Sequence, residues 1–498
     1  MIQNFSNKYK FNPRYVIVLL LSLLVFFVFH KALYAYYCFD DFHFIKMSFN
    51  RSFSHFFFSG DERSYRPLFY ILRYKIPVFL FGTNDFLQHL YGISIHIINV
   101  LLFYFYCCLL WDKKFFFKTV CATIFFACNT IHLESVVWTA GSHTMIANTF
   151  LLLALLSNKK RDAGNISIIS VSIFSLLSMY SSEAGMYTPI LIFVDDFFYY
   201  RSKEINVNIK QLLFKYILIV GITTNFLIQK WVIIGSLFGN WQHYAWLNGY
   251  SFLNAIENTF LGITRILTPL TYGLNYISYW ETFRFLPIAI ITGVLFYRLT
   301  SIQSRKSVSL LIFLMFPIFL IYNLNPVFPT ATRGIINQNS GGRFWYTACM
   351  GITLLMFDVL FNKNLLNTKK IIDRGLKGFL ILFLLFHIYV TTKNIIPWVN
   401  SGKVVQYLQQ EVLSKSKEKP NSPIYLTNII NHTQVPFPMT FFHFTQIEVR
   451  DQIIFDWPFM DRKYFVVYCY DDIICKNSTI DVKLFFNKLL DDGLVEVI

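Results

Sequence analysis

Runs of apolar residues, each close to the length that crosses a bilayer, follow one another along most of this chain and leave few folds open to it. A hydrocarbon core about 30 Å thick takes about 20 apolar residues in an α-helix. Such runs recur near 15–34, 86–111, 115–131, 142–158, 165–181, 184–200, 211–229, 285–299, 308–325, 344–361 and 376–396, about eleven spans in all. Only 14% of the 498 residues are charged, where a soluble domain carries about 25%. The expected class is therefore an all-α polytopic membrane protein. A net charge of +16 would suggest nucleic acid as a partner of a soluble chain. Here Lys and Arg sit in short connections between apolar runs, where they set topology and meet anionic head groups, so no nucleic-acid partner is expected.

The connections also give an orientation. Basic groups at Lys113/Lys114/Lys118, Lys159/Lys160/Arg161, Arg201/Lys203/Lys210, Arg298/Arg305/Lys306 and Lys363/Lys369/Lys370/Arg374/Lys377 alternate with stretches near 132–143 and 182–184 that hold neither Lys nor Arg. Positive residues stay cytoplasmic, which places the N-terminus inside. Lys8, Lys10 and Arg14 precede the first run, and Leu33-Tyr34-Ala35 is a poor cleavage site, so that run reads as an uncleaved span. An odd number of spans then puts the C-terminal region outside, with the long loop 35–85 and most of segment 230–284. Within the latter, Phe252–Tyr272 carries Glu257, Asn258, Arg265 and Pro269 and reads as an interfacial or re-entrant helix. From about residue 400 polar residues increase: Gln406–Ser416 reads as a helix, Ile424–Thr427 and Phe465–Tyr470 as strands, and Ile480–Leu490 as a helix before a terminal strand. The expected division is a transmembrane domain over 1–398 and a small extracytoplasmic α/β domain over 399–498. Most of the eight cysteines lie in spans as small buried residues, while Cys469 and Cys475 are candidates for a disulfide in an oxidising compartment.

The residues with chemistry to offer gather on the outer side. Asp40-Asp41 stands just past the first span; a carboxylate at a helix centre costs about 2.5 to 3.5 kcal/mol on insertion scales, so the pair belongs at the interface or in a polar cavity. Ser64-Tyr65-Arg66-Pro67-Leu68 offers a guanidinium suited to two phosphate oxygens. His132-Leu133-Glu134 and Glu183 lie at outer span ends, and Gly341-Gly342-Arg343-Phe344-Trp345-Tyr346 puts an Arg at the mouth of another span. Arg66, Arg333 and Arg343 stand outside against the topological bias, which calls for a reason. The oxygens of Asp40, Asp41 and Glu134 suit a divalent cation, although nothing in the sequence requires one.

Taken in order, the acidic pair, Ser-Tyr-Arg-Pro-Leu, the helix from Gln88-His89 through His96 to Asn99, and Asn129 to Trp138 resemble the membrane glycosyltransferases of the GT-C superfamily. The resemblance points in particular to the transmembrane and tetratricopeptide-repeat O-mannosyltransferases and their bacterial relatives. Ser182-Glu183-Ala184-Gly185, Arg265 to Leu270 and Arg343-Phe344-Trp345-Tyr346 follow in the same order, and the likeness covers roughly residues 15–361. It implies an outward-facing site that takes a sugar from a polyprenyl-phosphate carrier and places it, with inversion, on an acceptor hydroxyl. Asp40 would be the base with Asp41 orienting it; Arg66, Arg343 and Arg333 would hold the donor phosphate; His132, Glu134, Glu183 and Tyr65 would line the acceptor side. Where that family continues into tetratricopeptide repeats this sequence has residues 399–498, of different appearance, so protein, lipid and glycan acceptors all stay open. The expected setting is a bacterial inner membrane, with the site facing the periplasm or exterior. The alternative is a transporter or flippase of lipid-linked saccharides, for which matching halves and midplane charges would be expected; here the charges collect at one face.

Overall fold

The computed structural model describes residues 13–37, 40–58, 64–111, 115–160, 164–203, 209–235, 262–263, 265–268, 342–361 and 370–418, with short segments between 424 and 492. Lipid offers no partner to a backbone amide, so each span must bond to itself as a helix. Five described stretches are long and apolar enough to cross: Tyr15–Tyr34, Asp85–Leu110, Ala140–Lys159, Ile209–Ile234 and Lys377–Asn400. A sixth results if Phe116–Ala127 and Thr130–Val137, bent by 41° at their junction, count as one. The runs read at 165–181 and 344–361 form apolar helices shorter than that, Asn165–Ser181 and Tyr346–Asp358. The run at 184–200 becomes a tight turn, Glu183–Tyr187, and a helix, Thr188–Lys203, that carries Asp195 and Asp196. The described residues thus support a helical membrane protein, with five or six stretches among them long and apolar enough to cross rather than the nine expected there, while the runs at 285–299 and 308–325 lie outside the description.

Helix α1 (Pro13–Phe29) is followed by α2 (Asp40–Asn50), α3 (Phe53–Phe58), and two short helices, α4 (Pro67–Tyr70) and α5 (Ile76–Phe81), joined through a π-turn at Ile71–Lys75. Helix α6 (Asp85–Leu110) starts sharply because the Asn84 side chain accepts from Leu87 N at 3.0 Å, with Asp85 in the first turn. It packs between α1, α7 (Phe116–Ala127) and α9 (His143–Lys159), and α9 lies against α10 (Asn165–Ser181). Polar side chains fasten these helices where apolar packing alone gives little advantage over lipid. Asn99 donates to Met145 O and Thr149 Oγ1, Asn148 donates to Asn99 Oδ1 at 3.1 Å, and Ser178 donates to Ala147 O at 2.8 Å. Short helix α8 (Leu133–Val137) precedes α9; α11 (Thr188–Lys203), α12 (Ile209–Ile234) and α13 (Tyr346–Leu360) complete the bundle.

Charges do not collect at one end, contrary to the reading from sequence. At the Lys159 end of α9, Asn158 donates to Asp195 and Asp196, Lys159 pairs with Asp195, and Lys215 pairs with Asp196, which also accepts from Tyr216 at 2.8 Å. All four charged side chains there are largely buried, and the two acids match the two lysines. Alternation along the chain could not reveal this, since the partners come from three helices.

Helix α14 (Lys370–Glu418) runs unbroken for 49 residues, joining the last span to the helix read separately at Gln406–Ser416 and passing through Pro397. It comes very close to the chain beyond α1: a Cβ at Gly402 would lie 2.5 Å from Tyr36 N. The strand segments that follow are β1 (Ile424–Thr427), β2 (Glu448–Val449), β3 (Gln452–Phe455), β4 (Tyr464–Tyr468) and β5 (Thr479–Asp481), paired in the order β2-β3-β4-β1-β5. β1 runs parallel to β4 and β5, and β3 is antiparallel to its neighbours. Residues 480–481, read as the start of a helix, are strand; Cys469 and Cys475 lie outside the described residues.

Breaking a buried pair strands one charge, at a cost of about 3 to 5 kcal/mol. Lys215→Met is therefore expected to lower the unfolding midpoint in detergent sharply, and Lys215→Met with Asp196→Asn to recover most of the loss.

Candidate active site

The turn that enters α9 is the crossing point of the motifs. Helix α8 ends at Trp138, and a single 3-10 turn over Ala140–Ser142 leads into His143. Only glycine fits the middle of that turn, since a Cβ at Gly141 would stand 2.5 Å from Glu134 O. The buried Asp41 carboxylate accepts from Ala140 N and from Tyr74 Oη, both at 2.8 Å on Oδ1. Asp40 opens α2 immediately before it, and its side chain lies outside the description, as does Arg333.

Beside Asp41 lies Arg73, with no exposed surface. Its Nε donates to Ser142 Oγ (3.2 Å), Nη2 to Thr139 Oγ1 (3.3 Å) and Nη1 to Gln88 Oε1 (3.4 Å). Tyr37 is buried against the same region, where burial first, and then the nearby Asp85 and Asp41 carboxylates, push its phenol well above the ordinary range.

The next residues of α9 reach two further clusters. His143 Nδ1 lies 2.9 Å from Ser182 Oγ, and the neighbouring Glu183 accepts from Arg66 Nε at 2.7 Å while Lys230 Nζ stands 3.9 Å from its other oxygen. Burial would raise the Glu183 carboxyl, yet Arg66 and Lys230 outweigh it and hold the group at about 2. Thr144 Oγ1 donates to Arg343 O at 2.6 Å. Arg343 in turn pairs with Glu134 through its guanidinium, donates its backbone N to the same carboxylate at 3.1 Å, and lies over the Trp138 ring at 4.7 Å.

Of the residues singled out in the sequence, Asp41, Arg66, Glu134, Glu183 and Arg343 are thus brought to one end of the bundle, around residues 134–144. Two expected lining residues are placed differently. His132 is fully buried in an aromatic cluster with Phe126, His96 and Tyr346, whose ring centroid is 4.3 Å from its own. Tyr65 packs with Met179 and Phe226, bonds to Phe57 O and Gln229, and is pushed up to about 12 by burial and by Tyr180. Arg73, Lys230 and His143, which no motif marks, stand with them. The rule that marked Arg66, a cation outside against the bias, applies equally to Arg73, seven residues further on. Lys230 lies one residue beyond the apolar run at 211–229, where hydropathy alone does not distinguish it from a connection residue.

Among the described residues no group of three His, Cys, Asp or Glu is placed to hold a metal ion. Asp41 and Glu134 are engaged by separate donors, which does not favour the triad suggested with Asp40.

No family model matches the chain. Over 135 residues, 25% of its length, it is 33% identical to the protein O-mannosyl-transferase TMTC1 of Homo sapiens. The stretch corresponds to 15% of that protein, so the likeness supports a partial, distant relationship to a mannosyltransferase of the kind the motifs resemble.

Because the folded pKa of Glu183 lies below its ordinary 4.5, its pairing stabilises the fold above about pH 4.5 and that contribution disappears as pH falls toward 2. Thermal midpoints measured from pH 6 downward should fall less steeply for Glu183→Gln than for the wild-type chain, which starts higher.

Proposed function

We propose that this protein is a membrane glycosyltransferase that moves a sugar, mannose in the first instance, from a polyprenyl-phosphate carrier to an acceptor hydroxyl. The reading places the reaction at the end of the bundle that carries residues 139–144, facing the outer side of the membrane, with residues 399–498 as an extracytoplasmic α/β domain. The observation that carries it is that the turn holds Asp41 and the Arg343 carbonyl and, through His143 and Ser182, lies beside the Arg66–Glu183 pair, in a chain whose partial relative is named a protein O-mannosyl-transferase.

The acceptor oxygen attacks the anomeric carbon as the bond to the carrier phosphate breaks. The phosphate leaves with the bonding electrons, and the hydroxyl proton passes to a carboxylate as the new C–O bond forms. A carboxylate is too weak to deprotonate an alcohol beforehand, but it receives the proton well in the transition state. Asp41, with Tyr74 and Ala140 on one oxygen, suits an orienting role and leaves Asp40 as the base. Negative charge growing on the leaving phosphate needs fixed cations. Arg66 and Lys230, converging on Glu183 from two elements, supply them; Arg343, engaged by Glu134, forms the adjoining wall, and Arg333 is retained as a further phosphate ligand. The acceptor is a protein, lipid or glycan hydroxyl, and no cofactor is required by this scheme.

Purified protein given polyprenyl-phosphate mannose and a hydroxyl acceptor should release the carrier phosphate and form an inverted glycoside. Asp40→Asn is expected to lower kcat by about 10²–10⁴-fold, the usual worth of a general base, and Arg66→Gln to raise the KM for the donor. Full activity with Asp40 and Asp41 both replaced by Asn would overturn the base assignment, and movement of the carrier across the bilayer without transfer would favour a flippase.

A further inference from the structure

Arg73 takes no part in that scheme, yet it is the most enclosed guanidinium among the described residues. A charge without exposed surface loses several kcal/mol of hydration, and Arg73 is surrounded at bonding distance by the neutral acceptors of Gln88, Thr139 and Ser142. The space is shaped for it: a Cβ at Gly92 would come 3.1 Å from Nη2, and the Tyr91 ring lies 5.8 Å from its Cζ. Its place also depends on the π-turn at Ile71–Lys75, whose extra residue per turn departs from the regular helix and is a frequent mark of functional sites. Through that turn the consecutive residues Arg73 and Tyr74 are both buried and take opposite sides of one structure. Arg73 holds the side chains of Thr139 and Ser142, which flank Ala140; Tyr74 donates to the Asp41 oxygen that also accepts from Ala140 N.

We propose that Arg73 is a positioning residue: its guanidinium fixes the turn 139–142, and this turn, with Tyr74, fixes Asp41 and so the acidic pair at the start of α2. It meets no substrate. The kinetic consequence rests on the transferase reading; the mechanical one does not.

The test uses the full chain in lipid nanodiscs, with Arg73→Met, Arg73→Lys, and the milder Thr139→Val with Ser142→Ala, which removes two of the fork's three acceptors if Arg73→Met fails to fold. Hydrogen–deuterium exchange is followed in peptides covering 36–50 and 138–145, with 150–158 as reference, and transfer is measured with polyprenyl-phosphate mannose. Arg73→Met should speed exchange in the first two peptides and leave the reference unchanged. It should also lower kcat by about 10²-fold, the cost of an ångström-scale misplacement, at nearly constant donor KM. Arg73→Lys, which keeps the charge but not the fork, should recover part of kcat. Adding Asp41→Asn to Arg73→Met should cost less than the product of the two single effects, since both act through the same turn. Unchanged exchange in 36–50 and 138–145 would overturn the proposal, as would a rise in donor KM alone, which would put Arg73 on the substrate. If the wild-type chain transfers no mannose, the transferase reading fails and the exchange arm decides the positioning role by itself.

Discussion

The Ala140 amide donates to Asp41 at 2.8 Å, and most of the site hangs from the turn that makes that bond. Within a bundle packed against lipid, a carboxylate or guanidinium is tolerable only with its partners in place. The residues from Thr139 to Thr144 provide those partners in succession: a backbone amide for Asp41, hydroxyls for Arg73, an imidazole against Ser182 beside Glu183, and a hydroxyl for the Arg343 carbonyl. Gly141 permits the turn by letting it pass over the Glu134 carbonyl. Loss of the turn would remove a partner from each of these groups at once.

The two arginine–glutamate pairs at this end are not equivalent. Glu134 is only 2% exposed and receives both the guanidinium and the backbone amide of Arg343, whose face is covered by Trp138. That pair is part of the wall. Glu183 is more open, at 29%, and is approached by Arg66 from one element and Lys230 from another. Two cations face this one carboxylate, so on the proposed reading a phosphate joining them would balance the excess positive charge. The Lys159–Asp195 and Lys215–Asp196 pairs at the other end of α9 are closed by Asn158 and Tyr216, an arrangement that locks three helices together.

Helix positions were legible in the sequence wherever a long apolar run met a clear boundary, as at Asn84 before α6 or the basic group after Lys159. The run at 165–181 is a helix with those bounds and the run at 184–200 a helix over Thr188–Lys203, but whether either crosses the bilayer was not legible, because hydropathy sums side chains without saying whether they face lipid or another helix; Ser178 and Asp196 face helices. Asp41, Arg66, Glu134, Glu183 and Arg343 were conspicuous in one dimension because each is a charge beside an apolar run. Which charges pair was invisible, because Arg66 and Glu183 are 117 residues apart and Glu134 and Arg343 are 209 apart. His132 misled for the same reason: a histidine at a span end looks available, yet this one fills a gap among Phe126, His96 and Tyr346. Arg73 is marked by the same rule as Arg66, but its burial is not legible, because it depends on the π-turn, which no spacing rule anticipates.

A cryo-EM structure of the full chain with polyprenyl-phosphate mannose bound would test this account most directly. The expected result is density for the phosphate beside Arg66 and Lys230, at the end of the bundle that carries residues 139–144, with the sugar directed toward Asp40. A phosphate bound instead at the opposite end, beside Lys159 and Lys215, would contradict it.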